Sequence, residues 1–394
     1  MNGVSHDLLV PPPTQLLKER IQVPQKRLLM GPGPSNCSPE VCAAGSLPII
    51  GHMHAEIFRI MDDIKVGLQY VFQTENPWTL VISGPGHLAM EAVLVNLLEQ
   101  GDTMLVGVNG LWGDRVADLA FRIGAKAVRM ETEPGNAFSL QEIEAALVSS
   151  RPKVLFLVHS ESSTGVMQNL DGVGDLCRKY GCLLAVDTVA SLGGVPFSVD
   201  KLKIDAIYTG SQKVIGAPPG IAPISFGPRA VEVIKGRKTP VKSFLLDMKL
   251  LSVYWACSPG DVRFYHHTPP INLFYGLREA LTAVVEEGLP AIWKRHEENA
   301  NRLRDGITGM GLELFVKNPA DRLPTVTTIR VPEGLDWKAV TKHAMEKFDI
   351  EIAGGLGLTA GRVFRIGLMG YNAYPEKVDR VLAALKDSIK MAKY

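Results

Sequence analysis

The chain has 394 residues, 46% of them hydrophobic and 21% charged, with 38 glycines; this is the composition of a folded protein of about two domains and excludes disordered, fibrous and collagen-like chains. Lys and Arg total 42 against 41 Asp and Glu, and the net charge of +1 gives no field that would draw nucleic acid or an anionic membrane surface. Five cysteines without a CxxC pair (Cys37, Cys42, Cys177, Cys182, Cys257) favour a reducing compartment over a disulfide framework or a zinc site.

Residues 1–25 carry the Pro11-Pro12-Pro13 run and no sustained period, which predicts an extended arm over the surface or over a partner subunit. No window reaches roughly 18 uninterrupted apolar residues, so the chain is expected to be soluble, with no membrane span. An amphipathic stretch to Phe72 leads into alternating strands and helices. The predicted strands are Thr79–Ser83, Met104–Val108, Ala127–Met130, Val154–Val158, Leu183–Val186, Ala206–Thr209 and Ala222–Phe226. Predicted helices cover His87–Leu98, Trp112–Ile123, Ser139–Leu147 and Val173–Tyr180. Strands apolar on both faces predict an α/β fold with a mostly parallel sheet covered by helices.

Helical patterns over Asn272–Glu287 and Ile292–Met310 mark a change of domain, placing a large domain at 26–285 and a small C-terminal α+β domain at 286–394. In the latter, Glu313–Val316, Thr325–Val331 and Val363–Ile366 read as strands, and Trp337–Phe348 and Pro375–Lys390 as helices. Val378, Leu382, Leu385 and Ile389 recur with helical spacing in the last of these.

Chemistry concentrates at strand ends. Tyr208-Thr209-Gly210-Ser211-Gln212-Lys213 sets a lysine just past an apolar strand, and Leu183-Leu184-Ala185-Val186-Asp187 ends a buried strand on a carboxylate. Alone, each has an ordinary alternative, a loop lysine and a helix cap. Together, with room between them for a helix-containing connection, they suggest pyridoxal phosphate: a lysine for the Schiff base and an acid for the pyridine nitrogen. Ser83-Gly84-Pro85-Gly86-His87 offers helix N-terminal N–H groups to a phosphate, or is a plain tight turn. Trp112 reads either as a platform for a flat ring or as a core residue.

At this point the chain resembles, over roughly residues 6–390, the class V, fold-type I pyridoxal-phosphate aminotransferases, specifically the alanine–glyoxylate and serine–pyruvate group. The resemblance rests on Gly31-Pro32-Gly33-Pro34-Ser35-Asn36, Glu161-Ser162-Ser163-Thr164-Gly165, Gly210-Ser211-Gln212-Lys213, Tyr265-His266-His267-Thr268 and Arg322-Leu323-Pro324-Thr325-Val326-Thr327. It implies transamination from alanine or serine to glyoxylate or another small 2-oxo acid. Lys213 is implied as the Schiff-base lysine and proton shuttle, and Asp187 as the pyridine-nitrogen partner. Val189 and Trp112 would flank the ring, and Ser162 would sit near its phenolic oxygen. Gly86, His87 and Gln212 would hold the phosphate, together with Tyr265 and Thr268 from the second subunit of a homodimer with shared active sites. Arg365 would grip the substrate carboxylate, with Gly31 beside it.

Pro85 and Ser160 depart from the family pattern, Pro85 by removing an N–H and a possible side-chain donor at the phosphate turn, with lower cofactor affinity as the expected consequence. The motifs place no second arginine for a distal carboxylate, so small uncharged side chains are expected to be preferred. Gly51-His52-Met53-His54-Ala55-Glu56 also resembles the insect 3-hydroxykynurenine transaminases, which keeps an aromatic donor with glyoxylate as the alternative. His266 and His267, adjacent in a presumed strand, would face opposite ways and make no metal site. Cys257 reads as a structural thiol, and no cysteine sits in a loop suited to a desulfurase of the same fold. Lys235, Arg237 and Lys238 read as a solvated helix end. The resemblance allows a peroxisomal or mitochondrial home, but Ala392-Lys393-Tyr394 is not a Ser-Lys-Leu address, and the compartment stays open.

Overall fold

A computed structural model describes residues 21–392; most of the expected N-terminal arm lies outside the described residues. The central sheet is built from β1 (Trp78–Ile82), β2 (Thr103–Val108), β3 (Lys126–Glu131), β4 (Val154–Val158), β5 (Leu183–Asp187), β6 (Ala206–Tyr208) and β7 (Ala222–Phe226). Its order is β1-β7-β6-β5-β4-β2-β3, with β7 antiparallel to both neighbours and all other pairings parallel. Every residue of β1, β4, β5, β6 and β7 is buried, as expected of a sheet covered on both faces. The edge strand β3 is largely exposed and carries Lys126, Arg129 and Glu131, charges that discourage pairing with another chain.

Helices α1 (Ala55–Phe72), α2 (Gly86–Leu97), α3 (Leu111–Arg122), α4 (Leu140–Ser150) and α5 (Val173–Lys179) cover this sheet or pack beside it. Ser139 caps α4 in a reciprocal box with Glu142, so it starts the helix without belonging to it. The connection between β5 and β6, long enough for a helix, contains none. Residues 188–205 cross over in successive turns, held by bonds such as Ser191 N–H to Thr188 O (3.1 Å) and Gly194 N–H to Ser191 O (2.8 Å).

Beyond α6 (Ile271–Glu287) and α7 (Leu289–Gly309), a three-stranded antiparallel sheet of β8 (Val326–Arg330), β9 (Ala353–Gly354) and β10 (Val363–Gly367) runs in the order β8-β10-β9. α8 (Trp337–Phe348) and α9 (Pro375–Met391) pack on it. The strand expected at Glu313–Val316 reduces to a single bridge, Leu314 with Ile329, because Phe315 and Val316 turn into a separate buried cluster with Val166 and Val363.

The buried apolar residues form two main cores, one around the seven-stranded sheet and one around β8–β10. Leu28 and Met30 belong to the second, since Leu28–Leu29 pair in parallel with Ile350–Glu351. The segment from Leu28 to Asn36 therefore passes from one core to the other. Arg295 fastens the same junction: it grips Glu287 with two bonds (2.6 and 2.8 Å), donates to the carbonyls of Gly370 and Ala373, and lies over the Tyr374 ring. Among the described residues no helix is long and apolar enough to cross a membrane.

Candidate active site

Because the parallel strands share one direction, the C-terminal ends of β1, β2, β4, β5 and β6 open on one edge, where ligand sites of α/β folds form. A cavity of about 250 Å³ lies there, lined by Pro85, Gly86, His87, Met90, Trp112, Arg115, Ser160, Ser162, Asp187, Val189, Ala190, Tyr208, Gln212 and Lys213.

Asp187 ends β5 and is buried. Its Oδ1 accepts the Val189 N–H (2.8 Å) and its Oδ2 the Tyr208 hydroxyl (2.5 Å), from the residue opposite it in the β5/β6 register. Burial pushes the carboxyl up to about 6, with both bonds and the nearby Lys213 opposing that rise. At neutral pH this is a buried anion with capacity for a further cationic donor.

Lys213 stands in a loop fixed at both sides by Ser211, whose N–H reaches Ile221 O and whose hydroxyl reaches Pro218 O (2.6 Å). Its ammonium donates to Pro32 O. Ser35 donates its N–H to Gln212 O (2.9 Å) and its hydroxyl to Lys213 O (2.8 Å), so the Gly31–Asn36 segment is stitched beneath the lysine. Burial and, second, the Arg365 cation lower the amine to about 8, which leaves an appreciable fraction neutral and nucleophilic near neutral pH.

At the other end of the cavity α2 begins at Gly86 behind Pro85, with no side chain capping its first N–H groups. Among the described residues the buried Oε1 of Gln212 has no partner. Turning that amide over would present its NH₂ instead. A side chain at Gly86 would stand 3.4 Å from Val189 Cγ2 and 3.6 Å from Gly210 Cα, closing the space that the glycine leaves. Free helix N-terminal donors, an unpartnered amide, a buried anion and a lysine of lowered basicity around one cavity fit a phosphorylated pyridine aldehyde.

Trp112 lines the cavity and its Nε1 donates to Ser162 Oγ (2.8 Å). Arg365, buried in β10, donates through Nε to Gly354 O (2.7 Å) and through Nη1 to Ser162 O (3.2 Å). Among the described residues its Nη2 has no hydrogen-bond partner and no carboxylate within ion-pair range. Gly31 lies outside the lining, close against the Glu351 carboxylate. Tyr265 and Thr268 are exposed and also outside it.

Several contributors were not foreseen. Tyr208 reads in sequence as packing within an apolar strand. Ser160, without a role on sequence grounds, accepts the Ala190 N–H (3.0 Å). Arg115 is exposed yet lines the cavity, so a second guanidinium is present where none was expected. His266 and His267 are not in a strand. Their rings meet through Nδ1 atoms 2.8 Å apart, and His267 Nε2 reaches Ser83 Oγ (2.6 Å) beside the α2 turn. Arg237 is no solvated end, since it donates to the carbonyls of Asn96 and Leu98 at the C-terminus of α2. Cys257 is buried and its thiol is pushed up to about 12.

The model of the aminotransferase class-V family matches residues 44–381. An alanine–glyoxylate aminotransferase of Callithrix jacchus is 53% identical over 98% of this chain and 92% of its own length. One from Drosophila melanogaster is 52% identical over 98% of this chain and 97% of its own. Among solved structures, the alanine–glyoxylate aminotransferase of Nostoc sp. superposes with a TM-score of 0.93 at 46% identity, covering 96% of this chain and 99% of that one.

Proposed function

The chain belongs to the class-V aminotransferases, a family of pyridoxal-phosphate enzymes with the fold-type I architecture, and from that footing we propose that it transfers the amino group of alanine to glyoxylate. The observation that carries this reading is the meeting of Lys213 and Asp187 in one buried cavity, in a chain matched over 98% of its length by alanine–glyoxylate aminotransferases.

When bound, the cofactor supplies an aldehyde to receive the amino group and an electron-accepting ring. Lys213 would hold it through Nζ and, once displaced by the substrate amine, would take the proton from the substrate Cα as a neutral base. Asp187, oriented by Tyr208 and the Val189 N–H, would hold the ring nitrogen's proton. Trp112 and Val189 would flank the ring. The N–H groups of Gly86 and His87 and the Gln212 amide would carry the phosphate, and Ser162, whose oxygen already accepts from Trp112, keeps its own proton to donate. Arg365 would take the substrate carboxylate through the guanidinium edge that β10 leaves unpaired, a planar fork suited to that group. Tyr265 and Thr268, exposed here, would complete the phosphate shell of a second copy in a homodimer. The Drosophila relative carries the alanine–glyoxylate name, which favours alanine over 3-hydroxykynurenine as donor.

Steady-state rates for alanine, serine, aspartate and 3-hydroxykynurenine with glyoxylate test the reading. Alanine is expected to give the highest kcat/KM. A preference for aspartate would make Arg115 a second carboxylate anchor, and a preference for 3-hydroxykynurenine would change the donor. Lys213→Ala should fold, lose the near-visible absorbance of lysine-bound cofactor and lose turnover; near-normal turnover would remove Lys213 from its role.

A further inference from the structure

Helix α3 begins without a cap of its own. Gly110, its N-cap, has extended backbone and no side chain to accept the first N–H groups. They are taken instead by a different segment: Leu111 N–H donates to Ser163 Oγ (3.0 Å) and Trp112 N–H to Glu161 Oε2 (3.0 Å). The other oxygen of Glu161 accepts the Ser163 N–H (3.0 Å) and the Ser163 hydroxyl (2.5 Å). Glu161 is fully buried and is not among the residues lining the cavity. Its methylene and carboxyl carbons fill the space that a Cβ on Gly110 would need, which explains the glycine.

The same short run reaches the other side of the site. Ser162 takes Trp112 Nε1 on its hydroxyl and Arg365 Nη1 on its carbonyl, while Thr359 Oγ1 donates to Ser163 O (2.8 Å) and Thr328 Oγ1 to Thr164 O (2.6 Å). The ring platform on α3 and the arginine on β10 are thus fastened to one four-residue piece, Glu161–Thr164, braced internally by the Glu161 carboxylate on Ser163 and by the Glu161 carbonyl, which accepts the N–H groups of Thr164 (3.1 Å) and Gly165 (2.8 Å). Building on the functional reading above, we propose that Glu161 is a positioning residue that fixes Trp112 and Arg365 relative to each other, so that cofactor platform and carboxylate clamp act as one unit.

The role calls for a carboxylate. Three donors besides the Leu111 relay converge on two oxygens, and an amide would present one oxygen and a donor that faces another donor. The anion also sits at the positive end of α3 and near the Arg365 cation. Burial, aided by the Asp187 charge, brings the group up to about 7 even though the Ser163 and Trp112 bonds oppose the rise.

The test compares Glu161→Gln and Glu161→Asp holoenzymes with wild type in KM and kcat for alanine and glyoxylate, in the visible circular dichroism of the bound cofactor, and in Tm. Glu161→Gln should raise both KM values roughly tenfold while kcat changes less than about threefold, and should alter the cofactor dichroism. In an Arg365→Lys background the same change should raise KM by no more than about twofold, because the two residues act through one contact. Glu161→Asp, which keeps both acceptors, should fall between and provides the reading if the Gln variant does not fold. A folded variant with lowered Tm but wild-type KM and dichroism would mean that Glu161 merely stabilises, and overturns the proposal. So would a full tenfold effect in the Arg365→Lys background. Absence of turnover in the wild type would sink the functional reading and this inference with it.

Discussion

Gly33→Ala separates two roles of the segment beneath Lys213. Gly33 has φ +101°, outside the range that L side chains readily adopt, and a Cβ there would stand 2.5 Å from Lys213 Cδ and 2.8 Å from Cε. Carbon atoms rest about 3.5–4.0 Å apart, so the lysine chain has to retreat by about 1 Å and its ammonium leaves the Pro32 carbonyl. The backbone alone costs about 1–2 kcal/mol. Gly311→Ala supplies the control, since Gly311 also has positive φ (+76°) but nothing within 4 Å of its Cβ position. Both variants should lose a few degrees in Tm, but only Gly33→Ala should lose kcat, by roughly ten- to a hundredfold, as expected when a reacting group is displaced by about 1 Å. Steady-state alanine–glyoxylate assays and thermal scans of the two variants make the comparison. A Gly33→Ala enzyme within twofold of wild-type kcat would show that the lysine is not held by this segment.

Arg365→Lys replaces a planar fork by a point charge, and KM for alanine and for glyoxylate should rise about ten- to a hundredfold; unchanged KM values would move the carboxylate clamp elsewhere. Acid stability should track His296 and His159, both buried and lowered by desolvation to about 4. Such groups bind fewer protons folded than unfolded, so their contribution is complete above about 6.5 and is lost as pH falls toward about 4, up to about 3 kcal/mol each. Urea midpoints measured from pH 7 to 4 should fall steeply, and less steeply in His296→Gln; parallel curves would refute the assignment.

Much of the fold is legible because parallel strands buried on both faces leave continuous apolar runs, as in Val154–Val158 and Leu183–Asp187. Strand ends then forecast the site, since Asp187 and Lys213 are polar residues placed where apolar runs stop. What sequence does not carry is pairing between distant segments. Two-residue ladders such as Leu28–Leu29 with Ile350–Glu351 are too short for any period to register. The cap of α3 is equally silent, because its acceptors come from Glu161 and Ser163, far along the chain, and Gly110 gives no sign of them. Tyr208 joins the site only because the β5/β6 register sets it opposite Asp187, and a hydroxyl in an apolar strand does not reveal which neighbour it faces.

The absence of a helix between β5 and β6 follows from what that connection has to hold. Ala190 takes Ser160 Oγ on its N–H and Thr325 Oγ1 on its carbonyl, and Thr188 bonds both the carbonyl of Tyr208 and the hydroxyl of Thr209. A continuous helix from Thr188 would leave the Val189 and Ala190 N–H groups free but would tie the Ala190 carbonyl to a later N–H of its own, away from Thr325 Oγ1. Successive turns leave the carbonyls and N–H groups free to reach β4, β6 and the β8 region at once. The same logic applies at Gly370, whose N–H is taken by His296 (3.0 Å) and which offers no room for a Cβ against the Val214 carbonyl, one residue past Lys213. Ala190 and Val214, next to the acid and the lysine, are therefore tied to the C-terminal segments both by these backbone contacts and by a small apolar cluster with Leu323, Val326 and Met369, and a substitution that loosens that cluster is expected to appear first as a change in the site rather than as loss of the sheet.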